Sequence, residues 1–414
     1  MTQHIVIVGA GIVGISTGIW LRRFGVDVTV IDRGAPGQGT SYGNAGLLAA
    51  CAMVPVTGPG LLRKATRMLL NPEFPLFLRW GYLPRLLPWL LRYMSHANDA
   101  DTRRIARDLT PIVADSLQQH QALTAGTGLE HWVTESEYHF AYADRAAFEA
   151  DSYAWGLRRD NGFTPVLREG AQVQAHEPSL GPAVQCLATM KDHGFIRDPG
   201  GYVAALAAHL QKMGGQIRQA EVTDFDLTDG HITAVLTGDG PVTCDRAILC
   251  SGVWSKPLMA KLGLNIPLES ERGYHIVFRG ARGIPNAPTM VAAGKFVATP
   301  MAAGLRCAGV VEFGGLDAGP SKAPLDLLRR QVKRALPGLE YDDTEEWLGH
   351  RPAPSDSLPL IGEIGQTGIL TAFGHHHIGL TGGPKTGRMV AEMLTRRHPN
   401  TDPAPYSPER FRSA

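Results

Sequence analysis

The chain has 414 residues, 44% hydrophobic and 19% charged, which suits a two-lobed globular protein and excludes a disordered one. Forty basic side chains against 39 acidic ones leave a net charge of +1, without the basic footprint of a nucleic-acid binder. The five cysteines, Cys51, Cys186, Cys244, Cys250 and Cys307, include no CxxC pair, so neither a disulfide framework nor a zinc knuckle is indicated and reduced thiols in a cytoplasmic protein are expected.

The N-terminal HIVIVGAG reads as a buried parallel strand rather than a signal peptide. Gly9, Gly11 and Gly14 then form G-x-G-x-x-G, with Ile12 and Val13 inside the motif. A helix is expected to about Phe24, Gly25 ends it, and VDVTVID makes a second strand ending at Asp32 and Arg33. Gly9 permits the tight turn, Gly11 lets backbone approach a pyrophosphate, and Gly14 lets helix and strand pack closely. The helix N-terminus offers free N–H groups to the phosphates. Asp32, eighteen positions after Gly14, can accept from a ribose diol and disfavours a 2′-phosphate, so this is a dinucleotide site but not one for NADP. The small, polar loop QGTSYGNAGLL can wrap a large flat cofactor, which favours FAD over NAD. Its candidate contacts are Thr40, Ser41, Asn44, Ala45, Gly46 and Leu47.

From Leu61 to Met94 the chain carries Arg63, Lys64, Arg67, Arg79, Arg85 and Arg92 against a single Glu73. Pro72, Pro75, Pro84 and Pro88 should cut it into short helices. Such amphipathic pieces can lie on an anionic membrane surface, and they can equally pack as an ordinary basic edge. No run of about 18 apolar residues reads as a membrane span. Thr110-Pro111 looks like an N-cap opening a helix that ends near Gly126, and 131–143 looks like strands. Asp198 caps the next helix. Asp229-Gly230 and Asp239-Gly240 are hairpin turns of a three-stranded meander, which with the apolar RAILCSG should complete the dinucleotide-binding sheet. Strands, a helix (APLDLLRRQVKRALPG) and a final helix from about Pro384 to Arg397 follow.

Four stretches together resemble a known family: GAGIVGISTGIWL…VIDR, TSYGNAGLL, AILCSGVWS, and GHRPAPSDSLPLIG followed by FGHHHIGLTGGPKTGRMVAEML. The chain resembles the FAD-dependent amino-acid oxidoreductases related to D-amino-acid dehydrogenase and glycine oxidase. The resemblance implies an α/β fold: a Rossmann-type FAD-binding domain interleaved with an α+β substrate domain on a mostly antiparallel sheet. Residues 1–56, 193–263 and 348–414 would form the FAD domain, and 57–192 with 264–347 the substrate domain. It also implies hydride transfer from a substrate Cα to non-covalent FAD, giving an imino acid and then, unless the imine is cyclic, a 2-oxo acid and ammonia. No sarcosine-oxidase-like cysteine motif surrounds Cys307. The implied partners are a small D-amino or cyclic imino acid, including hydroxy-D-proline, and a quinone or other electron carrier. Oxygen, as in glycine and sarcosine oxidases, or a role as the FAD subunit of a larger dehydrogenase, stays open.

Arg351 stands where that family places its carboxylate-binding arginine, although Pro354 and Ser355 replace the common Thr-Pro pair. Arg suits the task through paired charge-assisted hydrogen bonds. Val222, Ser251, Gly252, Trp254 and Gly349 are further cofactor candidates. In ERGYHI, alternation places Arg272 and Tyr274 on one strand face and His275 on the other. Tyr274 could donate to the substrate carboxylate or be a satisfied core aromatic.

Three adjacent histidines, His375, His376 and His377, occupy FGHHHIGLTGGPKTG. Successive side chains alternate and no acid or cysteine lies in the loop, so no metal site is expected. His375, His376, Ile378, Gly379, Leu380 and Thr381 are cofactor candidates, the last three through N–H groups at a helix start. His376 and His377 are departures from the family pattern. Either shapes the pocket and helps to deprotonate the substrate amine, or both bond backbone carbonyls.

Overall fold

The computed structural model describes residues 3–61, 71 and 73–412. Arg63, Lys64, Arg67 and Pro72 of the basic stretch therefore lie outside the described residues. A six-stranded sheet runs in the order Leu360–Glu363, Ile369–Phe373, Arg246–Leu249, His4–Val8, Asp27–Asp32, Gln216–Gln219. Its neighbours are parallel except the first pair. The strand His4–Val8 is apolar on both faces because both are covered. Ile5 and Ile7 pack with residues of the helices Ile12–Arg23, Pro199–Lys212 and Gly379–Leu394. Val6 and Val8 pack with Phe225, Ile232 and Val235. Those belong to the meander Val222–Thr228, His231–Thr237, Gly240–Thr243, which forms a sheet of its own. The expectation that the meander extends the dinucleotide sheet is thus corrected: only Gln216–Gln219 and Arg246–Leu249, on either side of it, join that sheet.

A ten-stranded sheet forms the second layer, in the order Asp343–Pro354, Leu268–Arg279, Gly304–Phe313, Phe296–Met301, Thr289–Val291, Val133–Tyr142, Cys186–Ile196, Leu47–Leu48, with Leu76–Leu78 and Val166–Glu169 paired off this path. Its pairings are antiparallel apart from those joining Thr289–Val291 to Val133–Tyr142 and Gly304–Phe313 to Leu76–Leu78. The strands Cys186–Ile196 and Asp343–Pro354 lie whole in this sheet. The two-domain division we propose therefore passes after Ile196 and Pro354 rather than at 193 and 348.

Two helix starts differ from expectation, both at a proline. The helix around Pro111 runs Asp99–Val113, capped by the Asn98 side chain accepting from the Asp101 N–H at 2.9 Å. Pro111 sits in its last turn, and a second helix, Ser116–Thr124, follows after a break. The final helix is Gly379–Leu394, so Pro384 lies inside it. A proline there leaves the carbonyl four residues earlier without its N–H donor. That carbonyl, Leu380 O, instead lies 2.9 Å from His120 Nε2. A carbonyl can only accept, so Nε2 carries the hydrogen, and Tyr202 Oη lies 3.0 Å from the other ring nitrogen.

Burial drives several histidine pKa values down: His120, His139 and His375 to about 4, and His275 to about 3. Each stays neutral in the folded chain while the unfolded chain takes up a proton below the ordinary value of 6.5. Stability is therefore full above that pH and falls as pH drops from 6.5 toward 4. Each histidine adds a slope of up to about 1.4 kcal/mol per pH unit. Urea unfolding midpoints measured between pH 8 and pH 4 should decline steeply below pH 6.5. A flat profile down to pH 5 contradicts the neutral burial of these rings.

Candidate active site

A cavity of about 560 Å³ opens where the glycine motif leaves the first strand. It is lined by Gly9, Gly11, Ile12, Val13, Asp32, Arg33, Thr40, Ser41, Asn44, Val222, Ser251, Gly252 and Trp254, and at its inner end by His375, His376, Gly379 and Leu380. Gly9 is at φ +115°, and a Cβ there would stand 2.6 Å from Cys250 O, so no other residue fits the turn. The Asp32 carboxylate accepts from the Ala10 N–H at 2.7 Å and the Gly34 N–H at 2.9 Å, bracing two turns on the cavity wall. Ser41 Oγ accepts from the Ile12 N–H at 3.1 Å, tying the loop to the helix start. The Arg33 guanidinium lies 4.1 Å over the Trp254 ring. Gly14 and Gly46 line neither this cavity nor the one beside it; each permits close packing, since a Cβ would stand 2.0 Å from Gly9 O and 2.4 Å from Ile196 O respectively.

A second cavity, about 370 Å³, adjoins the first, and Thr40, Asn44 and His376 line both. Ala45, Leu47, Glu271, Gly273, Tyr274, Trp347, Gly349, Arg351, His377, Ile378 and Thr381 line the second alone. The strands Leu268–Arg279 and Asp343–Pro354 pair along their full lengths, which sets Glu271 opposite Arg351. Burial lowers the Arg351 pKa and Glu271 opposes it. Burial pushes the Glu271 carboxyl up, but His376, Arg351 and His377 outweigh it and hold it below its ordinary value, so Glu271 is ionised. A Cβ on Gly273 would stand 2.6 Å from Arg351 Cζ. Gly273 is thus the gap through which Arg351 reaches the cavity.

Arg272 and Tyr274 share a face, as alternation requires, and both turn to Glu312. Arg272 Nε is 3.0 Å from its carboxylate, and the Tyr274 hydroxyl donates to it at 2.7 Å while accepting from the Ser321 N–H at 2.9 Å. Tyr274 lends the cavity its ring, and its hydroxyl is committed elsewhere. His275 stacks on Trp347 with ring centroids 5.1 Å apart, its Nδ1 3.1 Å from Gly43 O. Trp347 in turn lies against Gly43 and Gly349, where a Cβ would stand 1.7 and 1.8 Å from its ring.

The three histidines separate. His375 is buried, its Nε2 2.9 Å from Thr386 Oγ1, and latches the loop to the last helix. His376 takes φ +51°, a strained conformation for a residue with a Cβ. Its Nε2 lies 2.8 Å from Glu271 Oε1 and its Nδ1 2.8 Å from His377 Nδ1. That Nε2 finds no partner in hydrogen-bond geometry, so the approach to Glu271 is a close contact rather than a straight hydrogen bond. His377 is open to the second cavity. Although its ring is exposed to the cavity, desolvation by the protein around it, His376 and Arg351 together lower its pKa. The loop starts the helix Gly379–Leu394, so the first-turn N–H groups of Gly379, Leu380 and Thr381 have no partner within the helix.

The chain matches the family described as FAD dependent oxidoreductase over residues 4–393. It belongs to that family. It is 36% identical to a D-amino-acid oxidase of Bradyrhizobium diazoefficiens, covering 99% of each chain. It is 30% identical to a D-amino acid dehydrogenase of Paramagnetospirillum magneticum, covering 95% of this chain and 96% of that one. In fold it is similar to an L-proline dehydrogenase from P. horikoshii, with a TM-score of 0.73 at 20% identity, covering 100% of this chain and 98% of that one. The chain is an FAD-dependent amino-acid oxidoreductase, and its larger cavity fits the cofactor. The side-chain-free turn at Gly9, the Asp32 carboxylate, His376 and Leu380 all line it.

Glu271, Gly273 and Trp347 were not read from the sequence as site residues. The signal was present in LESERGYH: charged residues at positions 269, 271 and 272 within a strand are buried only at a cost, and Glu271 stands opposite Arg351. Gly273→Ala should leave thermal stability close to wild type, because the side chain it meets is a flexible arginine tip. It should displace Arg351 and raise the KM for substrate about tenfold or more with little change in bound flavin. Steady-state kinetics beside the visible spectrum check this.

Proposed function

We propose that the chain oxidises a small D-amino or cyclic imino acid to its imine, with FAD bound non-covalently. The observation that carries this reading is Arg351, a deeply placed guanidinium on the wall of the smaller cavity. Its nearest counter-charge across the ladder, Glu271, is already in contact with His376. A half-buried cation without a committed partner is poorly satisfied, and a substrate carboxylate satisfies it with paired hydrogen bonds. FAD, when bound, supplies the two-electron acceptor for hydride leaving the substrate Cα. Arg351 fixes the substrate's carboxylate, and with it the position of Cα. The first-turn N–H groups of Gly379, Leu380 and Thr381 bring positive potential to the junction of the two cavities. Tyr274 and Trp347 wall the cavity and limit substrate size. The oxidase and dehydrogenase relatives support the D-amino-acid class.

For the electron acceptor we propose a membrane quinone. The helix Leu83–Ser95 packs inward through Leu86, Trp89 and Tyr93, with Trp89 Nε1 donating to Ala353 O at 2.9 Å. Its other face exposes Leu87 (45%) and Leu91 (64%) beside Arg85 and Arg92, and Trp80 nearby is 62% exposed. Apolar side chains flanked by arginines suit an anionic bilayer surface. Among the described residues no helix is long and apolar enough to cross a membrane. The oxidase relative supports a second reading, oxygen.

Under anaerobic conditions, D-amino acids, cyclic imino acids, glycine and sarcosine should be added in turn to the purified holoprotein. Bleaching of the flavin spectrum by a D-amino or cyclic imino acid is the expected outcome; no bleaching with any of them rejects the reading. Reoxidation by a soluble quinone should outpace reoxidation by air, and the reverse order selects oxygen. Arg351→Ala should lower kcat/KM roughly 100-fold or more.

A further inference from the structure

We propose that Glu271, His376 and His377 form a proton relay that takes the proton from the substrate ammonium and parks its charge beside Glu271. The proposal rests on the amino-acid-oxidising reading above. The ring nitrogens His376 Nδ1 and His377 Nδ1 are 2.8 Å apart, so one of them carries a hydrogen and the other a lone pair. In the resting state that the charges favour, His376 carries its proton on Nε2, the nitrogen 2.8 Å from the Glu271 carboxylate. Its Nδ1 then accepts from His377 Nδ1–H. This leaves a lone pair on His377 Nε2, and of the two histidines that line the substrate cavity His377 is the exposed one.

The atoms balance without a co-reactant. An N–H bond of the substrate ammonium breaks and a bond to His377 Nε2 forms. The His377 Nδ1–H bond breaks and a His376 Nδ1–H bond forms. The substrate amine is left neutral, His377 is neutral in its other tautomer, and His376 holds the positive charge next to an ionised carboxylate. His377 alone is a poor resting place for the proton, since desolvation by the surrounding protein and the nearby Arg351 charge lower its pKa. Of the two rings, His376 is the one with a carboxylate in contact among the described residues.

The surroundings agree with that division. Glu271 faces the pair from its strand and Arg351 from the next one, and burial together with the Glu271 charge raises the pKa of Tyr93 on the helix Leu83–Ser95, which keeps that hydroxyl neutral. Arg158, Tyr138 and Lys295 line the same cavity. Glu271 is the carboxylate among them. The strained φ of +51° at His376 presents its ring to both cavities at once. The relay gives Glu271 a positioning and charge-balancing role and makes His377 the catalytic residue.

The test is the pH dependence of the anaerobic flavin-reduction rate in wild type, His377→Gln and Glu271→Gln, joined to ¹⁵N NMR of the histidine rings in the wild-type holoprotein. The wild-type rate should level off well below the pH at which the free amine ionises. In both variants that plateau should vanish, and the rate should climb about tenfold per pH unit toward the amine's own ionisation. The ring spectrum should show His377 protonated at Nδ1 and bare at Nε2, a readout that survives if either variant fails to fold. Variants whose profiles superimpose on wild type, or a His377 protonated at Nε2 in the resting protein, overturn the relay and leave the proposed function standing. A wild-type flavin that no amino compound bleaches overturns both.

Discussion

Twelve residues, Leu268 to Arg279, each face a residue of Asp343–Pro354 in one unbroken antiparallel register, and the active site depends on that alignment. It places a buried carboxylate, Glu271, directly across from the half-buried guanidinium of Arg351, and sets the side-chain-free Gly273 under the arginine's tip. A slip of one residue would turn Arg351 to the other face of the sheet. The carboxylate and arginine are not locked to each other. Glu271 is in contact with His376, and this leaves the arginine's donors for a ligand. The pairing offsets the burial of two charges while keeping one of them available.

The glycine turn and its sheet were legible because their reasons are local. A β-branched strand, three glycines at fixed spacing and an acid at the next strand's end each have one physical use, and the cavity runs past all of them except Gly14, which packs. What escaped the sequence is set by contacts far along the chain. Pro384 reads locally as a helix start. It sits within a helix because His120, 260 positions from Leu380, takes the carbonyl the proline cannot satisfy. Glu271 escaped because alternation was applied only to Arg272, Tyr274 and His275, whereas the strand begins at Leu268. Its meaning appears only once the facing strand and the histidine loop are in place. Tyr274 shows the converse: the residue was visible, and Glu312 decides where its hydroxyl points.

The histidine loop resolves into three separate tasks because the backbone does not continue in one conformation. His375 closes onto Thr386, His376 turns into the left-handed region, and the chain then enters a helix at Gly379. Extended alternation, the basis for judging the three rings from sequence, does not apply across such a turn. The same turn delivers helix N–H groups to the junction of the cavities, so proton handling and charge stabilisation are built on one five-residue step, His375 to Gly379.

The order of strands in the six-stranded sheet carries a consequence for biosynthesis. The first strand made, His4–Val8, is flanked by Asp27–Asp32 on one side and Arg246–Leu249 on the other, and the latter is flanked by Ile369–Phe373. A ribosome must therefore emit most of the chain before the central strands are covered on both edges. In the meantime the apolar edge of His4–Val8 is open to pairing with a neighbouring nascent chain. Long-range pairing of this kind closes slowly. The yield of native protein should thus be governed by how fast translation and chaperones bring the C-terminal third to the sheet, more than by the stability of the finished fold.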